Sequence, residues 1–322
     1  MSERIAVLGA GAWGTALAVR LAAGGAAVGL WARDAALAGT MARARENAPR
    51  LPGVALPEAV RPTADLGAAL EGARAVLLAA PVAGLRVVAG AARAHWPGTA
   101  PVIVCAKGFE AGSRQLPHEL LAEALPGVKV AALSGPTFAH EVARGLPAAA
   151  VLAGAPLALP MPRFRLYPSD DIIGAEVGGA LKNVIAIAAG VVMGAGLGEN
   201  ARAAIVTRGL AEIGRLAAAL GGRAETVAGL SGLGDLFLTA SGAASRNFSL
   251  GVALGQGKSL AEILAARSAV TEGVGTAPAA LARARGGGVE LPVVEAVGEL
   301  LAGRAGVTEL AARLMGRPAR AE

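Results

Sequence analysis

A chain of 322 residues is long for one hydrophobic core, so two domains, or one domain with a large extension, is the expectation. Its composition, 54% hydrophobic and 17% charged, excludes a disordered or linker-dominated polypeptide. The net charge of +6 and the pI near 10.4 come from scattered arginines without a run of like charge, which argues against nucleic-acid binding. The sole cysteine, Cys105, sits in an apolar run and reads as a small buried hydrophobe, so neither a disulfide framework nor a metal cluster is expected. His95, His118 and His140 lack metal spacing and read as structural or surface residues.

The N-terminus runs directly into a strand pattern at residues 5–8, leaving no room for a secretory signal, and a cytoplasmic address is the expectation. Next comes Gly9-Ala10-Gly11-Ala12-Trp13-Gly14, opening a helix read at residues 15–23. A GxGxxG between a strand and a helix is the context in which the motif binds a dinucleotide. Gly9 would permit the tight turn, Gly11 the approach of a pyrophosphate and Gly14 close helix–strand packing, with the helix N-terminus supplying partial positive charge.

A second strand is read at residues 27–31, and the place where an NAD-preferring site carries a carboxylate is taken by Ala32, with Arg33 next. Arg33 can pair with a ribose 2′-phosphate, which favours NADP, whereas the nearby Asp34 leaves NAD open; a solvated surface arginine is the plain alternative. Further strands are read at residues 75–79, 102–105, 128–133 and 148–152. This alternation with helical runs implies a parallel, doubly wound Rossmann-type sheet in a domain of residues 1–173.

Two of these strands end on polar, Gly-bearing turns, Ala106-Lys107-Gly108 and Ser134-Gly135-Pro136-Thr137-Phe138-Ala139. Either alone reads equally as a plain turn, but ligands bind at the carboxyl ends of parallel strands, and two such ends in succession fit a cleft better.

From residue 174 to residue 322 the pattern becomes helical, with Gly clusters at the breaks, and an all-α C-terminal domain is expected. Its longest uncharged apolar stretch, residues 184–197, is too short for a membrane span and reads as a buried helix. Lys182 stands at the start of that stretch in Gly179-Ala180-Leu181-Lys182-Asn183; burial would lower its pKa toward neutrality, as suits a proton donor or acceptor. Further on, Gly232-Leu233-Gly234-Asp235-Leu236 offers a carboxylate to orient a lysine or hydroxyl, and Ser245-Arg246-Asn247 offers a cradle for phosphate.

Together with Leu51-Pro52-Gly53-Val54 and Glu272-Gly273, these segments resemble the bacterial NAD(P)-dependent glycerol-3-phosphate dehydrogenase family over nearly the whole chain. The resemblance implies hydride transfer between NAD(P)H and dihydroxyacetone phosphate, giving sn-glycerol 3-phosphate for phospholipid synthesis. It further implies that Lys182 is the proton acceptor in the oxidative direction and that Lys107 contacts both substrate and cofactor. Gly135, Thr137, Asp235, Ser245, Arg246 and Asn247 would line the substrate site; Trp13, Arg33, Ala139, Val270 and Glu272, with Arg246, would contact the dinucleotide. A homodimer is compatible with this reading, and membrane insertion is not expected.

Two departures from the family pattern stand out: a short Pro-rich stretch, residues 153–162, replaces a surface helix and puts local packing in doubt, and Arg50 stands where an aromatic residue is usual. Other readings are a 3-hydroxyacid dehydrogenase of related architecture, against which the Ser245-Arg246-Asn247 cradle and the Lys182-Asn183 adjacency argue, and a dinucleotide sensor without turnover.

Overall fold

The computed structural model describes residues 3–155, 157–242, 244–266 and 271–318. Its contacts divide the chain into two compact units, residues 1–107 with 115–176, and residues 108–114 with 177–322.

The first unit is built on eight strands: β1 (Arg4–Leu8), β2 (Ala27–Trp31), β3 (Val60–Thr63), β4 (Val76–Leu78), β5 (Val102–Val104), β6 (Val130–Ser134), β7 (Ala148–Ala153) and β8 (Phe164–Ser169). They form one sheet in the order β3-β2-β1-β4-β5-β6-β7-β8. The first six are parallel in the doubly wound order of dinucleotide-binding folds. The doubly wound parallel sheet is as expected, and beyond it β7 runs antiparallel to β6, with β8 parallel to β7. The short helix and turn after β6 return the chain along the same edge, which an antiparallel neighbour permits without a long crossover.

The helices of this unit are α1 (Ala12–Ala23), α2 (Ala35–Ala44), α3 (Leu66–Leu70), α4 (Val82–Ala92), α5 (Pro117–Ala124) and α6 (Ala139–Ala143), with one 3-10 turn at Arg93–His95. The strands alternate between two separate cores. Ile5, Val7, Leu77 and Ile103 pack with Leu17 and Leu21 of α1, whereas Ala6, Leu8, Val76, Leu78 and Val104 pack with Leu85 of α4 and Leu120 of α5. Successive side chains of a strand point to opposite faces, so a sheet covered on both sides needs the unbroken apolar runs that the sequence supplies.

The Pro-rich stretch holds no helix at its described residues, yet it is tied down. Arg20 donates to the carbonyl of Pro162, Arg74 donates to that of Ala158 at 2.8 Å, and Leu157, Leu159 and Met161 pack on the sheet core. Arginine donors satisfy carbonyls that a helix would have paired internally.

The described helices of the second unit begin with α7 (Ile172–Gly194), whose first turn still belongs to the first unit. They continue as α8 (Gly198–Ala219), α9 (Ala224–Val227), a π-helical turn (Leu230–Gly234), α10 (Asp235–Ala240), α11 (Arg246–Gly255), α12 (Leu260–Ala265), α13 (Glu272–Gly286), α14 (Pro292–Leu301) and α15 (Val307–Met315). By length and hydropathy α7 could cross a membrane, but 89% of its most apolar window is buried among protein side chains, as in a core helix. It starts well before residue 184 and stops at Gly194, so Lys182 lies in mid-helix rather than at a helix start. Gly174, Gly178 and Gly179 weaken the local helical signal, and burial of the surrounding residues outweighs that penalty.

Two buried carboxyls organise helix ends. Glu176 on α7 accepts from the backbone N–H of His118 at 3.0 Å and lies 2.6 Å from its ring Nδ1; burial raises its pKa, and the His118 contacts oppose the rise. Glu212 on α8, 2% exposed, accepts from the N–H groups of Val293 (2.7 Å) and Val294 (3.1 Å) in the first turn of α14. Burial pushes its pKa up from 4.5 to about 7, against the pull of those N–H groups, Arg215 and Arg317. A carboxyl whose pKa is higher in the folded than in the unfolded chain stabilises the fold below the unfolded value, and that contribution is lost as pH rises through the folded value. Roughly 3 kcal/mol should therefore disappear between pH about 4.5 and about 7. Denaturant unfolding across this window should show the slope in the native chain and a flatter one in Glu212→Gln; identical slopes would assign it to other groups.

Candidate active site

The segment between β1 and α1 shows how its glycines are used. Gly9 has φ +121°, and a Cβ there would lie 2.8 Å from the backbone of Ala79. A Cβ on Gly14 would lie 1.9 Å from the carbonyl oxygen of Gly9, so only glycine lets α1 start this close to the turn. Gly11 is different: nothing lies within 4 Å of its Cβ position. It is the N-cap of α1 and supplies no side-chain acceptor, so the first-turn N–H groups are left to an outside partner. Trp13 contributes a buried indole Nε1 without a hydrogen-bond partner. Open space at Gly11, helix-start donors and a positive dipole end fit a dinucleotide diphosphate.

At the end of β2, Arg33 is exposed. Asp34 uses Oδ1 to accept from the N–H groups of Ala36 (2.8 Å) and Leu37 (3.2 Å), so this carboxylate caps α2. Beyond β5 and β6, Lys107 Nζ donates to the carbonyl oxygen of Gly135 at 2.9 Å, and the Thr137 hydroxyl donates to the same oxygen at 3.3 Å. Thus Lys107 and Thr137, far apart in sequence, share the Gly135 carbonyl as acceptor. Ser134 Oγ, buried without a partner, lies beside them in sequence, and Ala139 begins α6. Cys105 is buried, and burial pushes its thiol pKa up to about 12 against the lowering effect of Lys107, so it is an inert hydrophobe. His140 is exposed and stacks on Phe138, their ring centroids 5.9 Å apart.

In the second unit the π-helical turn delivers Asp235 to the start of α10. Lys182 Nζ donates to Asp235 Oδ1 at 2.6 Å and to the Thr239 hydroxyl at 2.8 Å. All three are nearly buried, at 8%, 1% and 4% exposure. A carboxylate this close favours the ammonium form and opposes the neutralising effect of burial. Thr239 was not singled out by the sequence, although its i,i+4 spacing from Asp235 on one helix was the available signal.

Helix α11 is fixed against α7 by a seam of glycines. A Cβ on Gly190 would lie 2.1 Å from Phe248 O, and one on Gly194 2.1 Å from Val252 O. Reciprocally, Gly251 faces Ile187 O at 2.1 Å and Gly255 faces Val191 O at 2.4 Å. With backbones in contact, the register is set, and Asn247 Nδ2 donates to Asn183 Oδ1 at 2.9 Å. The N-terminus of α11 thereby sits one residue from the position of Lys182 along α7.

There Ser245 caps α11, its Oγ accepting from Phe248 N–H at 3.2 Å, and Arg246 is exposed. Asn247 is committed at both ends of its amide, because its Oδ1 accepts from Gly273 N–H at 3.1 Å. Glu272, half-buried, opens α13 beside this bond, whereas Val270 lies outside the described residues.

The chain matches the model of the NAD-dependent glycerol-3-phosphate dehydrogenase N-terminus over residues 4–159 and that of the C-terminus over residues 171–312. Glycerol-3-phosphate dehydrogenase [NAD(P)+] of Rhodospirillum rubrum is 54% identical over 280 residues, covering 84% of this chain and 80% of that protein. The protein of the same name from Aromatoleum aromaticum is 53% identical, covering 84% and 85%. Among solved structures, glycerol-3-phosphate dehydrogenase from Coxiella burnetii superposes with a TM-score of 0.93 at 37% identity, covering 98% of this chain and 99% of that one. Both halves of the sequence and the whole of the fold point the same way, and the chain belongs to the NAD-dependent glycerol-3-phosphate dehydrogenase family.

Proposed function

We propose the following division of labour for the hydride transfer between NAD(P)H and dihydroxyacetone phosphate that the chain catalyses as a member of this family. Bound nicotinamide supplies the hydride in the reductive direction and receives it in the oxidative one. Gly9, Gly11, Trp13 and Gly14 shape the seat for the diphosphate, and Ala139, Val270 and Glu272 complete the cofactor contacts. Lys182, held as an ammonium by Asp235 and Thr239, donates a proton to the substrate oxygen as the carbonyl is reduced, and takes it back in the reverse reaction. Asp235 orients that ammonium and compensates its charge.

The phosphate of the substrate is held by Arg246, which also reaches the cofactor. Ser245 and Asn247 stand at the same helix N-terminus, where the dipole favours an anion. Asn247 acts chiefly by fixing α11, since its amide is already engaged by Asn183 and Gly273. Lys107, Gly135 and Thr137 form the remaining polar contacts to the substrate, with Lys107 touching the cofactor as well. The observation that carries this reading is the buried Lys182–Asp235 pair, a charge pair that the core of a helical unit does not need for its stability.

NADP is proposed as the slightly preferred cofactor, because Arg33 is exposed at the end of β2 while Asp34 is occupied in capping. The enzyme is proposed to be cytoplasmic, and light scattering of the purified chain reports whether it is a homodimer. The test is NADPH and NADH oxidation with dihydroxyacetone phosphate, run side by side on the native chain and on Arg33→Ala. The native chain should turn over both. The variant should lose about 1.5–3 kcal/mol of NADPH binding, the worth of a hydrogen bond to a charged group, with NADH hardly changed. Equal losses for both cofactors would remove Arg33 from the 2′-phosphate, and no oxidation of either would overturn the activity.

A further inference from the structure

The loop joining α2 to β3 holds none of the residues assigned above, yet it is tightly built. Arg45 ends α2 in the left-handed region at φ 52°, and its guanidinium donates to the carbonyls of Leu56 (3.0 Å), Pro57 and Val60 (3.0 Å). Glu46 pairs with Ala55 in an antiparallel bridge, and its Oε1 accepts from Gly53 N–H at 2.8 Å. The carbonyl of Asn47 accepts from Arg50 N–H at 3.0 Å and from Leu51 N–H at 2.8 Å. A loop closed by this many bonds is a rigid support rather than a slack connection.

From this support the side chain of Asn47, 0% exposed, reaches the glycine-rich turn. Its Nδ2 donates to Ala10 O at 3.0 Å and to Thr15 Oγ1 at 2.8 Å. A carbonyl oxygen can only accept, so the amide nitrogen must be the atom facing Ala10, and the orientation of the group is determined. In that orientation Oδ1 is buried without a protein partner, a cost that an apolar side chain of similar size would avoid. What an apolar side chain cannot supply is the pair of donors.

We propose that Asn47 is a positioning residue for the dinucleotide turn. A peptide unit is planar, so holding the carbonyl of Ala10 also fixes the direction of the Gly11 N–H on the other side of the same plane. Gly11 is the position that opens onto free space, where a diphosphate oxygen would be received. The second bond, to Thr15, anchors the first turn of α1 to the same amide group, so one side chain holds both the turn and the helix start that follows it. This inference rests on the reading of the turn as the seat of NAD(P).

Two variants separate this role from a packing role. Asn47→Leu keeps the bulk and removes the orphaned acceptor, and Asn47→Ala removes the side chain. Hydrogen exchange measured without cofactor should be faster at the amides of residues 10–15 in both. Fluorescence titration should show Kd for NADH and for NADPH raised by one common factor of about five to thirty, the worth of one or two net hydrogen bonds. KM for dihydroxyacetone phosphate at saturating cofactor should stay the same, and the melting temperature of Asn47→Leu should remain close to that of the native chain. Native-like affinity in either folded variant would overturn the proposal, as would a loss confined to NADPH, which would place Asn47 on the ribose phosphate instead. Should the native chain itself bind neither dinucleotide, the cofactor reading fails, and the role of Asn47 with it.

Discussion

Lys182→Met should lower turnover with dihydroxyacetone phosphate by about 10²–10⁴, the usual contribution of a general acid or base, but it should also destabilise the protein. The second effect follows from Asp235, whose carboxylate is 1% exposed and would lose the ammonium now 2.6 Å away. Removing one member of a buried pair costs about 3–5 kcal/mol, because the charge left behind is neither solvated nor neutralised. A single variant thus mixes loss of chemistry with loss of fold. The double variant Lys182→Met with Asp235→Asn leaves neither charge of the buried pair and should recover most of the melting temperature. Its turnover should stay as low as that of the single variant. Thermal unfolding and kcat measured on the same three proteins decide the matter. A folded double variant with near-native turnover would show that the proton comes from elsewhere, and Lys107 would be the next residue to test.

Gly14→Ala and Gly11→Ala should fail in different ways although they are three residues apart on one turn. At Gly14 the new methyl carbon would stand 1.9 Å from the carbonyl oxygen of Gly9 and 3.1 Å from Ala79 Cβ. Backbone must move to relieve it, and overpacking of this kind costs about 1–3 kcal/mol or more, so the melting temperature without cofactor should fall. At Gly11 the methyl meets no protein atom. That variant should melt like the native chain, yet it should bind NADH and NADPH about 10- to 100-fold more weakly, the worth of one charge-assisted hydrogen bond to the diphosphate. Unaltered cofactor affinity in Gly11→Ala would move the diphosphate away from this turn.

The two strands not legible in the sequence, β3 and β8, are the two edges of the sheet, and each contains a proline, Pro62 and Pro168. Proline cannot donate to a ladder and is tolerated at an edge, where a missing N–H faces outward; the same property hides such strands from a search for apolar runs. The central strands were legible because both of their faces are covered, which requires continuous hydrophobic sequence. Among the helices, α7 was legible only over its uncharged portion. Its first turns carry Gly174, Gly178, Gly179 and the charged Glu176 and Lys182, and helix there is paid for by burial and by partners that lie far away in the chain.

By itself the sequence determined what depends on neighbours along the chain. This covers the strand–turn–helix order around Gly9-Ala10-Gly11-Ala12-Trp13-Gly14, the change from alternating to helical pattern, and the candidates Lys107, Lys182, Asp235 and Arg246. Each of these is a local pattern of period, turn chemistry or residue type. Tertiary structure alone decided which of them meet. Lys182 reaches Asp235 because a π-helical turn aims α10 at α7, and Asn247 reaches Asn183 because four glycines let α11 and α7 touch backbone to backbone. Asn47 carried no signal at all, since one asparagine in a loop looks like any other until the turn it holds is folded beneath it. Local pattern reflects the few residues that fix a backbone conformation, whereas a hydrogen bond across tens of residues depends on packing that no short stretch of sequence records.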